Sequence, residues 1–218
     1  EADDEGGKTK KQEFEHVLPA DSAITDLAPG NSFYVEGRKL TIDQVSIDKD
    51  EYESWHFCRS CSHLEPVTVA SEQYTECPRC HCQAWRDTSL TQQMLKMRQV
   101  FVTAWDKKVR NLDQKDDREL TSFNQQNSID YERDAIRKSY SLRDEGATFA
   151  FDFIDQITLR EVNFGEDRMD SNVIQIGGKS LHGIGFQVCG SCGKIQSRQV
   201  KAERRHDISC KNYGKDME

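Results

Sequence analysis

Apolar residues are scarce in this sequence: 35% of 218 residues, against 31% charged, is a lean supply for a hydrophobic core. Something besides apolar burial must help the chain fold. No run approaches the roughly 18 consecutive apolar residues of a membrane helix, and no positively charged start followed by an apolar stretch marks a signal peptide. A soluble, intracellular, cytoplasmic protein without a membrane partner is expected. There is no initiator methionine, since the chain opens at Glu1-Ala2-Asp3-Asp4, so a segment of a longer polypeptide is expected too. A phosphate-binding loop is lacking: Gly178-Lys179-Ser180 resembles the end of one, but Val173 stands where the loop needs a glycine. Asp116-Asp117-Arg118-Glu119 has no apolar strand to present it to a magnesium ion. No nucleophile with a paired base is identifiable, so the segment itself is not expected to be an enzyme.

The formal net charge is -8, and residues 1–28 hold eight acidic and three basic side chains, so much of the acidity sits in one polar tail. The body is near balance. Its one locally basic stretch is 194–211, where Lys194, Arg198, Lys201, Arg204, Arg205 and Lys211 outnumber Glu203 and Asp207. That patch could attract a polyanion.

Eight cysteines carry the strongest pattern. Cys58-x2-Cys61, fifteen residues, then Cys77-x2-Cys80 has the spacing of a four-cysteine zinc site, because a two-residue gap lets both thiolates of a tight knuckle point at one tetrahedral ion. A second set, Cys189-x2-Cys192 followed after thirteen residues by His206-x3-Cys210, again supplies four ligands. Two zinc ions are expected. Each set offers four protein ligands and leaves no open position for water, so neither ion is expected to be catalytic. Cys82 is left over as a spare thiol beside the first metal, and His63 and His81 are expected in hydrogen bonding around the ion or in solvent, not in ligation. His63-Leu64-Glu65 with Cys77-Pro78-Arg79-Cys80 echoes the zinc deaminase signature, but the proline follows its cysteine instead of preceding it.

Between these anchors the pattern is mainly extended. Residues 1–15 are polar and aperiodic, a disordered or linker segment. Asn31–Val35 and Arg38–Val45 flank Glu36-Gly37 as a hairpin, and residues 90–105 are ambiguous but end extended. Residues 106–126 are expected as a charged loop. A short helix is expected from Ser128 to about Tyr140, capped by Ser128, with acidic residues in its first turn and Arg137 and Lys138 in its last. Phe149, Phe151 and Phe153 alternate strictly, and Leu159, Val162 and Phe164 continue the pattern, which predicts two paired strands with the aromatics on a core face. Stacking of single-stranded bases on that face is the lesser expectation. Val173–Ile176 and a Gly177-Gly178 turn lead into the second cluster. The expected fold is α+β, mainly β: zinc-stapled small sheets and hairpins with one or two short helices. Its parts are a hairpin and first zinc ribbon (17–105), a charged loop and short helix (106–145), and hairpins with the second zinc site (146–218).

Gly30-Asn31-Ser32-Phe33-Tyr34 with Gly37, the first Cys-x-x-Cys pairs, Tyr131-Glu132-Arg133, Asn163-Phe164-Gly165 and Gly185-Phe186-Gln187-Val188-Cys189-Gly190-Ser191-Cys192-Gly193 occur in an order that resembles the accessory zinc-binding region of large bacterial DEAD/DEAH-box helicases of antiphage defence systems such as Druantia and DISARM. The resemblance implies a non-catalytic domain of an ATP-dependent DNA helicase, supporting a DNA path or a surface for other proteins of the system. ATP hydrolysis would belong to RecA-like domains elsewhere in the polypeptide. The phosphate contacts expected here are Arg198, Lys201, Arg204, Arg205 and Lys211. The rival expectations are a zinc-stabilised protein-interaction adaptor, which the overall acidity favours, and a zinc–thiol redox switch, which Cys82 keeps open.

Overall fold

A computed structural model describes residues 15–35, 38–48, 52–102, 122–144, 147–166, 173–182, 185–196 and 206–215. It is an α+β structure, mainly β, built from small antiparallel sheets. Among the described residues, no helix is long and apolar enough to cross a membrane.

One short helix, α1 (Ala20–Asp26), opens the fold. Pro19 precedes it with φ -56°, a value proline fixes in advance, and Asp21 lies in the first turn, where the helix dipole favours an acid. The Asn163 side-chain amide donates to the Ile24 carbonyl at 2.7 Å and fastens α1 to a strand far along the chain. The expected hairpin follows: β1 (Ser32–Val35) and β2 (Arg38–Thr41) pair in register with Val35 opposite Arg38. The short β3 (Gln44–Val45) then pairs with β7 (Val100–Phe101).

The central sheet has β4 (Tyr52–Phe57) between β5 (Leu64–Pro66) and β6 (Thr91–Leu95). Within the ambiguous 90–105 segment, Thr91–Leu95 form the edge strand β6 and Val100–Phe101 form β7, so its described strands are extended. Strands β8 (Phe123–Asp130) and β11 (Thr158–Glu166) pair with each other, as do β12 (Val173–Ile176) and β13 (Lys179–His182). Between the latter, Gly177 and Gly178 have φ of +61° and +77°, the left-handed pair that a two-residue hairpin turn requires. Phe57, Leu64, Leu90, Val162, Phe164, Ile176 and Leu181 form the main core where these three units meet, with Phe57 and Phe164 edge to face at 5.4 Å.

Two expectations are corrected. The helix from Ser128 to Tyr140 does not form: β8 runs through Asp130, one 3-10 turn covers Arg133–Ala135, and β9 (Ile136–Asp144) continues extended. The charges suited a helix dipole, but the segment has too thin an apolar stripe to hold a helix on the core. Pairing with the β-rich stretch 147–166 buries Gln126 and Ser128 instead, opposite Val162 and Arg160. The second correction concerns Phe149, Phe151 and Phe153. They do lie on a strand, β10 (Ala147–Ile154), but are exposed. β10 pairs with β9 in a two-stranded ribbon, and every described side chain from 137 to 143 and from 149 to 153 faces solvent. Alternation marks a one-sided strand; it does not say what covers the side.

The 1–15 segment apart from Glu15, and 106–121 of the expected charged loop, lie outside the described residues; 123–126, the end of that expected loop, belong to β8 instead, paired with β11. Truncating the centre of the core, Phe57→Ala, is expected to lower unfolding free energy by about 3–5 kcal/mol in urea titration of the metal-loaded chain.

Candidate metal centres

The first cluster is framed by β4 and β5 at one knuckle and by a loop with short 3-10 turns, Ser71–Gln73 and Gln83–Arg86, at the other. At the end of β4 the Cys58 amide donates to the His63 carbonyl at 2.9 Å, closing a tight loop around Cys58-x2-Cys61. The Cys77 amide closes onto Cys82 in the same way at 3.0 Å, and Cys189 onto Lys194 at 2.8 Å. One backbone device, five residues from donor to acceptor, therefore shapes all three Cys-x-x-Cys turns. Four residues after the first cysteine the backbone turns left-handed in two of them, at His81 (φ +60°) and Gly193 (φ +72°). The fourth ligand pair, His206 and Cys210, is instead held by a single turn in which the Cys210 amide donates to Asp207.

These turns bring Cys58, Cys61, Cys77 and Cys80 together, and Cys189, Cys192, His206 and Cys210, each set with all ligand atoms within 4.8 Å of one another. Separations inside the sets test whether an ion fits. Four sulfurs about 2.3 Å from a tetrahedral ion lie about 3.8 Å apart. Cys61 and Cys77 are 3.8 Å apart, Cys58 and Cys80 3.5 Å, and Cys189 and Cys210 3.8 Å. In the second set Nδ1 of His206 lies 3.9 Å from Cys192 Sγ and 3.8 Å from Cys210 Sγ, so this nitrogen faces the set. None of the eight cysteines forms a disulfide. Each set fits one metal ion in a closed four-ligand shell.

The electrostatics agree with a cation at each centre. Burial pushes the thiols of Cys58, Cys61, Cys77 and Cys192 up to about 11. At neutral pH these thiols, three in the first set and one in the second, would need a cation to be held as thiolates, whereas hydrogen bonds from Cys82 and the neighbouring cysteines shift the Cys80 thiol of the first set down against the pull of burial. Backbone amides supply part of the required field: those of Ser60 and Cys61 point at Cys58 Sγ at 3.4 and 3.5 Å, and that of Asn212 points at Cys210 Sγ at 3.4 Å. At Cys189 burial also disfavours the thiolate, but amides of Ser191 and Cys192 and the Asn212 side chain outweigh it and lower the group to about 6.

Around the first set, Trp85 is buried against Cys58 and Cys77, and His56 and His63 lie 5.5 and 5.4 Å from its ring. His63 shares a 3.2 Å contact with Glu65, and His81 is exposed and paired with Glu76 at 2.9 Å, so both histidines stay outside the ligand set. Cys82 Sγ lies outside it too and accepts from the Ser60 hydroxyl at 3.2 Å.

Sequence spacing gave the ligands but not where each centre docks. The first knuckle grips the β12–β13 turn: Gly177 donates to Cys58 and Gly178 to Arg59, at 2.9 and 2.8 Å, and Arg59 Nε donates to Gln175 at 2.8 Å. The second knuckle grips β3, over 140 residues away. Val45 donates to Gly193 at 2.9 Å and Ile195 to Asp43 at 3.0 Å, and Lys194 pairs with Asp43 at 2.9 Å. The Gln44 side chain reaches both the Cys192 carbonyl, at 2.7 Å, and Asp207, at 3.0 Å. These contacts join residues of the 17–105 part to residues of the 146–218 part. No sequence signal announced them, although Gly193 offers one in retrospect: a Cβ there would lie 1.9 Å from the Val45 carbonyl oxygen.

Of the expected phosphate contacts, Arg198, Lys201, Arg204 and Arg205 lie outside the described residues, while Lys211 is exposed on the turn after Cys210. Lys194, from the same basic stretch, is committed to Asp43.

Comparison of the chain with protein-family models, curated proteins and solved structures finds no match. Two substitutions separate ligation from docking. Cys189→Ser is expected to halve the metal content, read by elemental mass spectrometry, and to lower thermal stability sharply, since metal binding at such a site is folding free energy. Gly193→Ala removes no ligand, yet it is expected to destabilise the β3 contact and lower the melting temperature by 5 °C or more, on the order of 1–3 kcal/mol. For the metals, acidification from pH 7.5 to 5 is expected to weaken binding steeply, because protons compete for the ligands, and a chromogenic chelator would report the release.

Proposed function

We propose that the chain is a non-catalytic binding module whose two zinc ions hold the scaffold together. The observation that carries this reading is the closed shell at both centres: four protein ligands at tetrahedral spacing leave no position for substrate or water. Three or four thiolates with at most one imidazole suit zinc, which prefers this geometry and brings no redox chemistry. With the metals spent on architecture, function falls to the surfaces they organise. One such surface among the described residues is the β9–β10 ribbon with its exposed aromatic side, which supports the adaptor form of the reading.

A second reading makes the module the zinc-bearing accessory part of an ATP-dependent DNA helicase. It is supported by the order of motifs from Gly30 to Gly193 and by the basic stretch next to the second centre, where Lys211 is exposed. Under it, Arg198, Lys201, Arg204, Arg205 and Lys211 contact phosphates and affinity falls steeply with salt.

Elemental analysis of protein purified without added metal, under reducing conditions, is expected to give two zinc ions per chain and a colourless solution. Chelation is expected to abolish cooperative unfolding. A visible iron–thiolate absorbance, or a fold indifferent to chelation, would overturn the zinc-scaffold reading. Charge reversal of Arg204 and Arg205 to Glu decides between the two surfaces. Retention on DNA at low salt is expected to disappear under the helicase reading, and no DNA retention by the unaltered chain is expected under the adaptor reading.

A further inference from the structure

The β8–β11 and β9–β10 pairs are two halves of one antiparallel ribbon. The chain runs outward through Phe123–Asp130 and Ile136–Asp144 and returns through Ala147–Ile154 and Thr158–Glu166. The Asp155 amide donates to the Ala135 carbonyl at 3.0 Å and joins the halves. The inner half carries Val162 and Phe164 into the core. The outer half, nine residues on one strand, is an arm about 30 Å long at roughly 3.3 Å per residue.

Its two sides differ. The register places Phe149 opposite Leu142, Phe151 opposite Tyr140 and Phe153 opposite Lys138 on one side, and Ala150 opposite Ser141 and Asp152 opposite Ser139 on the other. Tyr140 stacks on Phe151 at 5.2 Å and meets Phe153 edge-on at 5.9 Å, so the rings form one continuous surface. Yet Tyr140 is 48% exposed, Leu142 67%, Phe149 59%, Phe151 45% and Phe153 56%. A sheet that is apolar on one side and polar on the other is built to pack on something, and a two-stranded ribbon is marginal in water by itself.

Building on the reading of the chain as a zinc-held binding module, we infer that the aromatic side of the β9–β10 arm is covered by the same side of a second copy, giving a symmetric dimer. Two features select this occupant. The first is area. Five large side chains at about 200 Å² each, roughly half exposed, leave on the order of 500 Å²; pairing two such faces removes on the order of 1,000 Å², the threshold for a specific interface. The second is charge. Residues 133–155 carry four basic and five acidic side chains, Arg137 is paired with Asp155, and only Lys138 shares the described aromatic face, so the arm does not attract a nucleic-acid backbone. A twofold arrangement is self-complementary: the Tyr140–Phe151 pair at the middle of the face meets its own copy, and the Lys138 end of one arm lies over the Phe149 end of the other, where an ammonium is favoured on an aromatic ring. Two such faces pack as stacked sheets do, about 10 Å apart.

Sedimentation equilibrium of the zinc-loaded chain from micromolar to hundreds of micromolar tests this. The unaltered chain is expected to form dimers. Leu142→Lys and Phe151→Lys are each expected to weaken dimerisation at least about 100-fold. Ser141→Lys, on the polar side, is expected to leave it within about threefold. Each variant is checked for two metals per chain and for the thermal transition of the body, which the arm does not support. A chain that stays monomeric at every concentration, or dimers that Ser141→Lys disrupts as strongly as Phe151→Lys, would overturn the dimer. So would tight binding of oligo-dT by the unaltered chain that is lost in Phe151→Lys. A monomer that keeps both metals and loses its fold on chelation would sink the dimer while leaving the zinc scaffold intact, whereas loss of the metals would sink the scaffold.

Discussion

The docking of each cysteine knuckle onto a distant strand is the constraint on which the rest of this structure depends. A knuckle alone is a local loop of six residues. Here the backbone that closes it also presents outward hydrogen-bonding groups, at Cys58 and Arg59 in one centre and at Gly193 in the other, and these groups complete the β12–β13 turn and the strand β3. A metal fixing the four ligands of either centre would therefore fix one remote segment as well. The main core of seven buried residues also joins these distant parts, and metal binding would add to it where apolar residues are scarce. The docking also explains why the two centres interlock. The first docks on the hairpin that leads into the second, and the second docks on a strand that precedes the first.

The arm follows from the same economy. With the core filled by β4–β6, the inner half of the ribbon and β12–β13, no remaining element covers β9–β10 among the described residues. Its aromatics are too many and too regular for incidental surface, since isolated exposed apolar side chains are ordinary but a contiguous row of four rings is not. Cysteine knuckles suited to a metal thus lie beside the core, while the ribbon carries an exposed aromatic side.

Much of the metal chemistry was legible in the sequence. Cys-x2-Cys turns act locally, so spacing alone assigned all eight ligands that the fold brings together, including His206, and it set Cys82, His63 and His81 aside. Two-residue periodicity and glycine placement likewise gave the β1–β2 and β12–β13 hairpins. The helix expected over 128–140 failed because helix-compatible charges are a weak local preference that strand pairing overrides: Ser128–Asp130 pair with Thr158–Arg160, about thirty residues on, and Ile136–Tyr140 pair with β10 across a hairpin. The aromatic strand was recognised as a strand for the same reason that its environment was not: periodicity reports which residues share a side, and nothing about the neighbour on that side.

What the sequence determined by itself is thus what short segments determine: ligand identity, tight turns and the extended habit of the chain. Tertiary structure alone decided which strand each metal centre grips, that Gly193 must be glycine because a carbonyl oxygen occupies the place of its Cβ, and that Phe149, Phe151 and Phe153 face outward. Each of these depends on a partner far away in the chain. Bringing such segments together costs loop-closure entropy that no local stretch of sequence reports.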